Sequence, residues 1–205
     1  MNDFDDKAAS WDDDPTKIER AEAVADVIAS TIELDGSERL LEYGAGTGLV
    51  THALQHSVGP VTMADTSAGM RDVMLAKIAD GTIREGRVWD FDLAISPAPD
   101  EQFDLIVTVL TLHHIHEVST VLARFAALLD HAGRLCIVDL DHEDGSFHGT
   151  DADVHHGFRR DEMADLLTAA GFASIEFFDC HHVDRHDEKF PMFLAVARLD
   201  GDFDA

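Results

Sequence analysis

Basic residues are scarce in this chain: 15 Lys and Arg stand against 41 Asp and Glu over 205 residues, a formal charge of -26 with His neutral. Phosphate backbones and anionic bilayers are held by concentrated Lys/Arg faces, so the composition argues against nucleic acid and against a membrane surface as partners. Asp outnumbers Glu by more than two to one, which fits a high-salt host or simply an acidic soluble surface. Only two cysteines are present, Cys136 and Cys180, each inside an apolar, strand-like run. They read as small core residues, and nothing calls for an oxidising compartment. No apolar run approaches the roughly 18 residues needed to span a bilayer, and the amino terminus is Asp-rich rather than basic then apolar, so a cytoplasmic protein is expected. No internal repeat, Pro/Gly linker or low-complexity tract marks a boundary, and one domain over residues 1–205 is expected.

Three glycines stand out against this background. Leu40-Leu41-Glu42-Tyr43-Gly44-Ala45-Gly46-Thr47-Gly48-Leu49 places Gly44, Gly46 and Gly48 at the end of an apolar run and the start of a helical stretch. Glycine there admits backbone conformations closed to other residues and lets a ligand approach the main chain. The dinucleotide fingerprint spaces its glycines as G-x-G-x-x-G, whereas this run is G-x-G-x-G with Leu49 at the third place. Asp65 closes the next apolar run about twenty residues on, where a carboxylate can accept both hydroxyls of a ribose.

Apolar runs at Leu40 to Tyr43, Val61 to Ala64, Ile83 to Val88 with Trp89, Phe103 to Leu110 and Leu135 to Leu140 predict buried strands. Helical periodicity lies between them: a helix from the Asp14-Pro15 cap to near Gly36, then Leu49 to His56, Ser67 to Ala79, Val118 to Leu129 and Arg160 to Ala170. Such alternation predicts a doubly wound, mostly parallel α/β sheet with helices on both faces. The last two runs, Ala173 to Phe178 and Phe190 to Ala197, have no room for a crossover helix and should pair as an antiparallel hairpin.

The E-x-G-x-G-x-G turn, Asp65, the Phe103-Asp104-Leu105-Ile106-Val107 strand entry and the His113-His114 pair that follows it resemble the class I S-adenosylmethionine (SAM)-dependent methyltransferases of small molecules. The likeness runs from about Phe4 to Ala197. It implies a seven-stranded sheet of order 3-2-1-4-5-7-6, SAM as cofactor and a small-molecule acceptor. It also implies site residues. Gly44, Gly46 and Gly48 would approach the methionyl and ribose part of SAM, with Glu42 positioning the loop or an ordered water. Asp65 would bind the ribose hydroxyls within the segment that includes Thr66, and Met70 would cover the adenine or lie in the core. Asp90, or Asp92, would accept from the adenine amino group, with Phe91 as an apolar contact. Thr108, Val109 and Leu110 would line the methionyl pocket. Residues 1–36 would form an amino-terminal lid and helix, with Trp11 over the cofactor; an unstructured leader before Asp14 is the alternative.

If the acceptor is a hydroxyl or a protonated amine a general base is required, and His114, His113 and His156 are the candidates. A capping or backbone-bonding role for the His pair remains equally open. The connection at 141–158 would wall the acceptor pocket, bringing His142, His148, His155 and His156 near it. His116-Glu117 lacks the second histidine of an H-E-x-x-H site. No resident metal is therefore expected, the alternative being a site around His142, Asp144, His148 and His155. The Asn/Asp-Pro-Pro-aromatic tetrad of base-amino methylation is missing after the fourth strand. Two readings from other classes stand beside methyl transfer: a non-catalytic SAM-binding regulator, and a nicotinamide oxidoreductase, which the glycine spacing and the lack of a Tyr-x-x-x-Lys pair oppose. Acceptor identity and oligomeric state are not legible in the sequence.

Overall fold

The computed structural model describes residues 4–84, 86–149 and 152–199, so Thr150 and Asp151 of the expected 141–158 loop lie outside the described residues. The chain divides into two compact units, Met1–Asp92 and Leu93–Ala205, and the strand order is β3-β2-β1-β4-β5-β7-β6.

In the first unit the Asp14 side chain accepts from Thr16 N at 3.0 Å and Pro15 opens helix α1, Pro15–Thr31. Its buried stripe is Ala21, Val24, Ala25 and Ile28. The helix stops short of Gly36. The hydroxyls of Ser30 and Thr31 both donate to Val27 O, and Ile32 is already extended. Strands β1 (Leu40–Tyr43) and β2 (Val61–Ala64) are buried at every position and pair in parallel, as expected of strands covered on both faces. Helices α2 (Leu49–Leu54) and α3 (Ala68–Ala79) follow them. Strand β3 is shorter than its apolar run predicts, Gly86–Trp89. Ile83 is buried in the turn before it, its N–H bonded to Lys77 O, and packs with Met63 and Met74.

In the second unit β4 (Phe103–Val109) pairs in parallel with β5 (Leu129–Leu140), and α4 (Val118–Leu128) joins them. Leu129 leaves the helix with extended backbone and starts the strand. Helix α5 (Arg160–Ala169) follows, and then the hairpin β6 (Phe172–Arg185) and β7 (Glu188–Leu199). This hairpin far outruns the predicted Ala173 to Phe178. Its outer strand continues through Asp179, His181, His182 and Asp184, whose polarity conceals a strand in sequence but suits an edge. His186 and Asp187 both have positive φ, 54° and 61°, the pair of left-handed residues that a tight two-residue hairpin turn requires. Arg160 grips Asp141 through Nε and Nη2, both at 2.8 Å, and Asp179 at 2.7 Å, tying the start of α5 to the end of β5 and to β6.

Candidate functional site

In the first unit the glycine turn is fastened to the end of β2 by Gly44 N and Ala45 N, which donate to Ala64 O at 2.8 and 3.0 Å. Gly44, Gly46 and Gly48 all lie at positive φ (70°, 56° and 77°). The last two serve different ends. A Cβ on Gly48 would stand 3.0 Å from Ile83 Cδ1 and from Met63 Sδ, whereas one on Gly46 would meet nothing within 4 Å. Gly48 therefore permits packing, while Gly46 leaves its backbone open to a ligand.

Asp65 holds that opening in shape. Its Oδ2 accepts from Gly46 N at 2.7 Å and its Oδ1 from Ser67 N at 2.8 Å. Burial raises its pKa above the ordinary carboxylate value, and those two N–H groups pull against the rise. Each oxygen keeps a further acceptor lone pair for a ligand hydroxyl. Glu42 is buried, and its Oε2 accepts from Thr51 N at 2.8 Å and from the Thr51 hydroxyl. Burial pushes its pKa up to about 7. Glu42 thus pins the first turn of α2. Arg71 donates to Asp65 O and to Asp90 Oδ2, both at 2.9 Å. Asp90 is 73% exposed, and Phe91 is half-buried beside Trp89. Asp92 receives the Tyr43 hydroxyl at 3.5 Å, Thr66 is exposed, and Met70 is buried.

The leader is ordered as a short 3-10 helix, Ala8–Asp13, and is clamped at two points. Asp5 Oδ1 accepts from Ser67 Oγ at 2.6 Å and from Gly69 N at 3.2 Å, at the start of α3. Asp12 accepts from Thr47 Oγ1 at 2.6 Å and pairs with Lys77 at 2.6 Å, while Lys77 also donates to Thr47 O at 2.8 Å. Trp11, half-buried, stacks edge-on with Phe4 and lies under the Lys17 ammonium, 3.8 Å from its ring centroid.

In the second unit, Thr108 sits on β4 with its hydroxyl buried and without a hydrogen-bond partner among the described residues. Val109 and Leu110 are half-buried. Leu110 has φ 50°, a left-handed conformation that costs a residue with a Cβ about 1–2 kcal/mol. Its N–H is held by Val138 O at 2.8 Å. A 3-10 turn follows, Leu112–His114, and presents the His pair. His113 is buried. Its Nδ1 lies 2.6 Å from Asp139 Oδ1 and its backbone N donates to Asp139 Oδ2 at 3.3 Å. Its Nε2 is 3.1 Å from Nε2 of His148. Burial, followed by the neighbouring His113, lowers His148 to a pKa of about 4, so its imidazole is neutral at physiological pH. The His114 ring lies 4.1 Å from that of His113 and 5.0 Å from that of His148, centroid to centroid.

His148 arrives on the loop between β5 and α5, which is closed at its base by pairing of Asp141 with Phe158. Glu143 Oε2 accepts from Gly145 N and Phe147 N, which shapes the turn before His148. His155 N donates to His113 O at 2.8 Å, stitching the loop to the 3-10 turn.

The predicted residues thus form two groups. Trp11, Glu42, Gly44, Gly46, Gly48, Asp65, Thr66, Met70, Asp90 and Phe91 belong to the first unit, and Thr108, Val109, Leu110, His113, His114 and His156 to the second. The converging imidazoles are His113, His114 and His148. His156 stands outside that group; its ring lies against Gly145, and its carbonyl accepts from Glu143 N and His142 Nδ1. Sequence reasoning missed Asp5, Asp12, Thr51, Lys77 and Asp139. Only Asp139 carried a signal, as an acid inside an apolar run.

The methyltransferase-domain family matches residues 17–176, more than three quarters of the chain. A methyltransferase of Anoxybacillus flavithermus is 29% identical over 116 residues, 56% of this chain and 52% of that protein, so the match spans about half the relative's length. The malonyl-[acyl-carrier protein] O-methyltransferase of Geobacter sulfurreducens is 28% identical over 195 residues, covering 86% of this chain and 72% of its own. Among solved structures, a methyltransferase in complex with the Haloferax volcanii Trm112 activator superposes with a TM-score of 0.78 at 17% identity, over 97% of this chain and 98% of that one, a likeness of fold.

Proposed function

The chain belongs to the methyltransferase-domain family, and from that premise we propose that it transfers the methyl group of SAM to a small-molecule acceptor, releasing S-adenosylhomocysteine, and that the whole chain acts as one domain in doing so. The observation that carries this reading is the grip of Asp65 on Gly46 N and Ser67 N. It shapes an open backbone surface that fits a nucleoside without a pyrophosphate, and the neighbouring carboxylates suit a ligand carrying a sulfonium and an ammonium group. SAM supplies an already activated methyl group. Gly44, Gly46 and Asp65 would hold it, with Thr108, Val109 and Leu110 along its methionyl part and Asp90 or Asp92 at the adenine edge. Glu42 and Gly48 act indirectly, by fixing the loop.

What remains for the protein is to align acceptor and methyl group and to exclude water. The clamped leader with Trp11 is the water-excluding element in this reading. The His113–His114–His148 cluster would meet the acceptor, with Asp139 holding His113 Nδ1 as the donor side. His156 has no part in that role. A small acceptor is supported by the acidic charge, which disfavours nucleic acid, and no helix among the described residues is long and apolar enough to cross a membrane. The Geobacter relative's O-methylating name makes an oxygen acceptor the first class to screen.

The test is calorimetric titration with SAM, S-adenosylhomocysteine and NAD(H). We expect micromolar binding of the two sulfur nucleotides, none of NAD(H), and a loss of about 10- to 100-fold in Asp65→Ala, the worth of hydrogen bonds to a charged group. Binding of NAD(H) alone would overturn the reading. A protein activator is a second reading, favoured by the Trm112-bound neighbour; co-expression with a Trm112 protein that yields no complex removes it.

A further inference from the structure

The rings of His113, His114 and His148 each offer one ligating nitrogen, and the three atoms lie within 4.8 Å of one another. Because Asp139 Oδ1 takes the Nδ1 side of His113 at 2.6 Å, the lone pair of that ring is placed at Nε2. Nε2 faces its counterpart on His148 at 3.1 Å. Tetrahedral zinc, with bonds of about 2.0–2.1 Å to imidazole, separates its nitrogen ligands by about 3.3 Å. The His113–His148 pair is close to that span, and the half-buried His114 offers its nitrogen within 4.8 Å of both.

We propose that His113, His114 and His148 form a binding site for one first-row divalent metal ion of the zinc class, with Asp139 orienting His113 from behind. Three features support it beyond the distances. A carboxylate on the far nitrogen of a ligating imidazole fixes its tautomer and strengthens it as a donor. Phe147 packs edge-on against both His148, 4.7 Å between centroids, and His113, 6.4 Å, so the rings are held in place by packing as well. The donor set is all imidazole, which suits zinc and its neighbours rather than magnesium or calcium.

Three protein ligands leave a fourth position open, the pattern of zinc sites that act on a substrate. Resting on the methyl-transfer reading, that position takes the oxygen of a hydroxyl or acid acceptor. The O–H proton passes to solvent, the oxygen forms a C–O bond with the methyl carbon, and the S–CH3 bond breaks to leave a neutral thioether. The ion thereby replaces a general base, and the favoured acceptors are oxygen compounds able to ligate metal.

The experiment uses tag-free protein stripped with chelator. Zn2+ uptake is followed by calorimetry and Co2+ uptake by its visible spectrum, without SAM. We expect one ion per chain, Zn2+ affinity lowered at least about 100-fold in His148→Ala and in His114→Ala, a fall of about 10- to 100-fold in Asp139→Asn, and no change in His182→Ala on the hairpin. Each variant is accepted only if its metal-free circular dichroism matches wild type. Two half-buried ligand variants, one on the 3-10 turn and one on the loop, guard against one failing to fold. Absence of stoichiometric uptake, or uptake unchanged in His148→Ala, overturns the proposal. Binding to the acidic surface alone would be multiple, salt-sensitive and indifferent to these histidines, and counts against it. SAM binding without metal uptake defeats only the metal site; metal uptake without SAM binding defeats only the cofactor reading.

Discussion

Asp65 and Asp139 stand at comparable places, the one just beyond β2 and the other near the end of β5, yet they hold different things. Asp65 accepts from two backbone N–H groups and so fixes the shape of a loop. Asp139 accepts from an imidazole and so fixes which nitrogen of His113 carries a lone pair. In the proposed reading the first arrangement receives the ribose of SAM. The second determines a chemistry. Surroundings differ in the same sense: in the first unit the leader, Thr47, Ser67 and Lys77 are bonded together round the glycine turn, whereas the second unit holds a buried Thr108 hydroxyl without a partner among the described residues and a left-handed Leu110. In the proposed reading the first unit binds the cofactor and the second meets the acceptor, and strain held in the second fits a site of reaction.

The sharpest way to break this contrast is Asp139→Ala. Asp139 accepts from His113 Nδ1, His113 N and Leu140 N, and leaving those buried donors unsatisfied costs about 3–5 kcal/mol, a loss that urea denaturation should show. A fall below about 1 kcal/mol would mean that His113 does not depend on the carboxylate.

Next is Glu42→Gln. Glu42 titrates near 7 in the folded protein against an ordinary 4.5, because of burial. Between those values the folded chain keeps a proton that the unfolded chain has lost. The Glu42 contribution to stability is therefore fully present below 4.5 and declines as pH rises to about 7. Glutamine retains an oxygen for Thr51 and removes this dependence, so the variant should gain on wild type by about 3 kcal/mol between pH 4.5 and pH 8. Equal pH slopes for the two proteins would show that Glu42 is ionised when folded.

Asp12→Ala sharpens the comparison from the leader's side. It removes an ion pair to Lys77 and a hydrogen bond from Thr47, and should cost about 1–2 kcal/mol. Trp11 fluorescence, recorded in a Trp89→Phe background, should shift to the red as the leader loosens. The smallest effect is expected at the hairpin tip, where Lys189 meets Asp184 in the open. Lys189→Ala should change stability by less than about 0.5 kcal/mol, as exposed ion pairs do, and leave SAM and metal binding untouched.

Legibility followed the range of the interactions. The cap at Asp14-Pro15, the buried runs of β1, β2 and β4, and the glycine turn declare themselves within a few residues, because period, capping and positive φ are local demands. The polar half of β6 from Asp179 to Arg185 was hidden, since an edge strand's identity lies in its partner β7 and not in its own composition. Ile83 looked like strand and lies in a turn, because an apolar side chain records burial and not backbone pairing.

The same holds at the candidate site. His113 and His114 were legible as a pair, but the ring that joins them comes from His148, 35 residues beyond His113. The carboxylate that orients His113 is 26 residues away. His142, Asp144 and His155 looked like partners for His148 because they are near it in sequence, and the loop's closure at Asp141 and Phe158 sends His148 to the 3-10 turn instead. By itself the sequence determined the alternation of buried strands with helices, the glycine turn and the resemblance to SAM-dependent methyltransferases, all written in short-range patterns of burial and backbone freedom. Tertiary structure alone decided which side chains meet: Asp5 on α3, Asp12 with Lys77, Asp139 and His148 on His113. Such encounters depend on where distant segments are brought by packing, and no local preference of those residues encodes it.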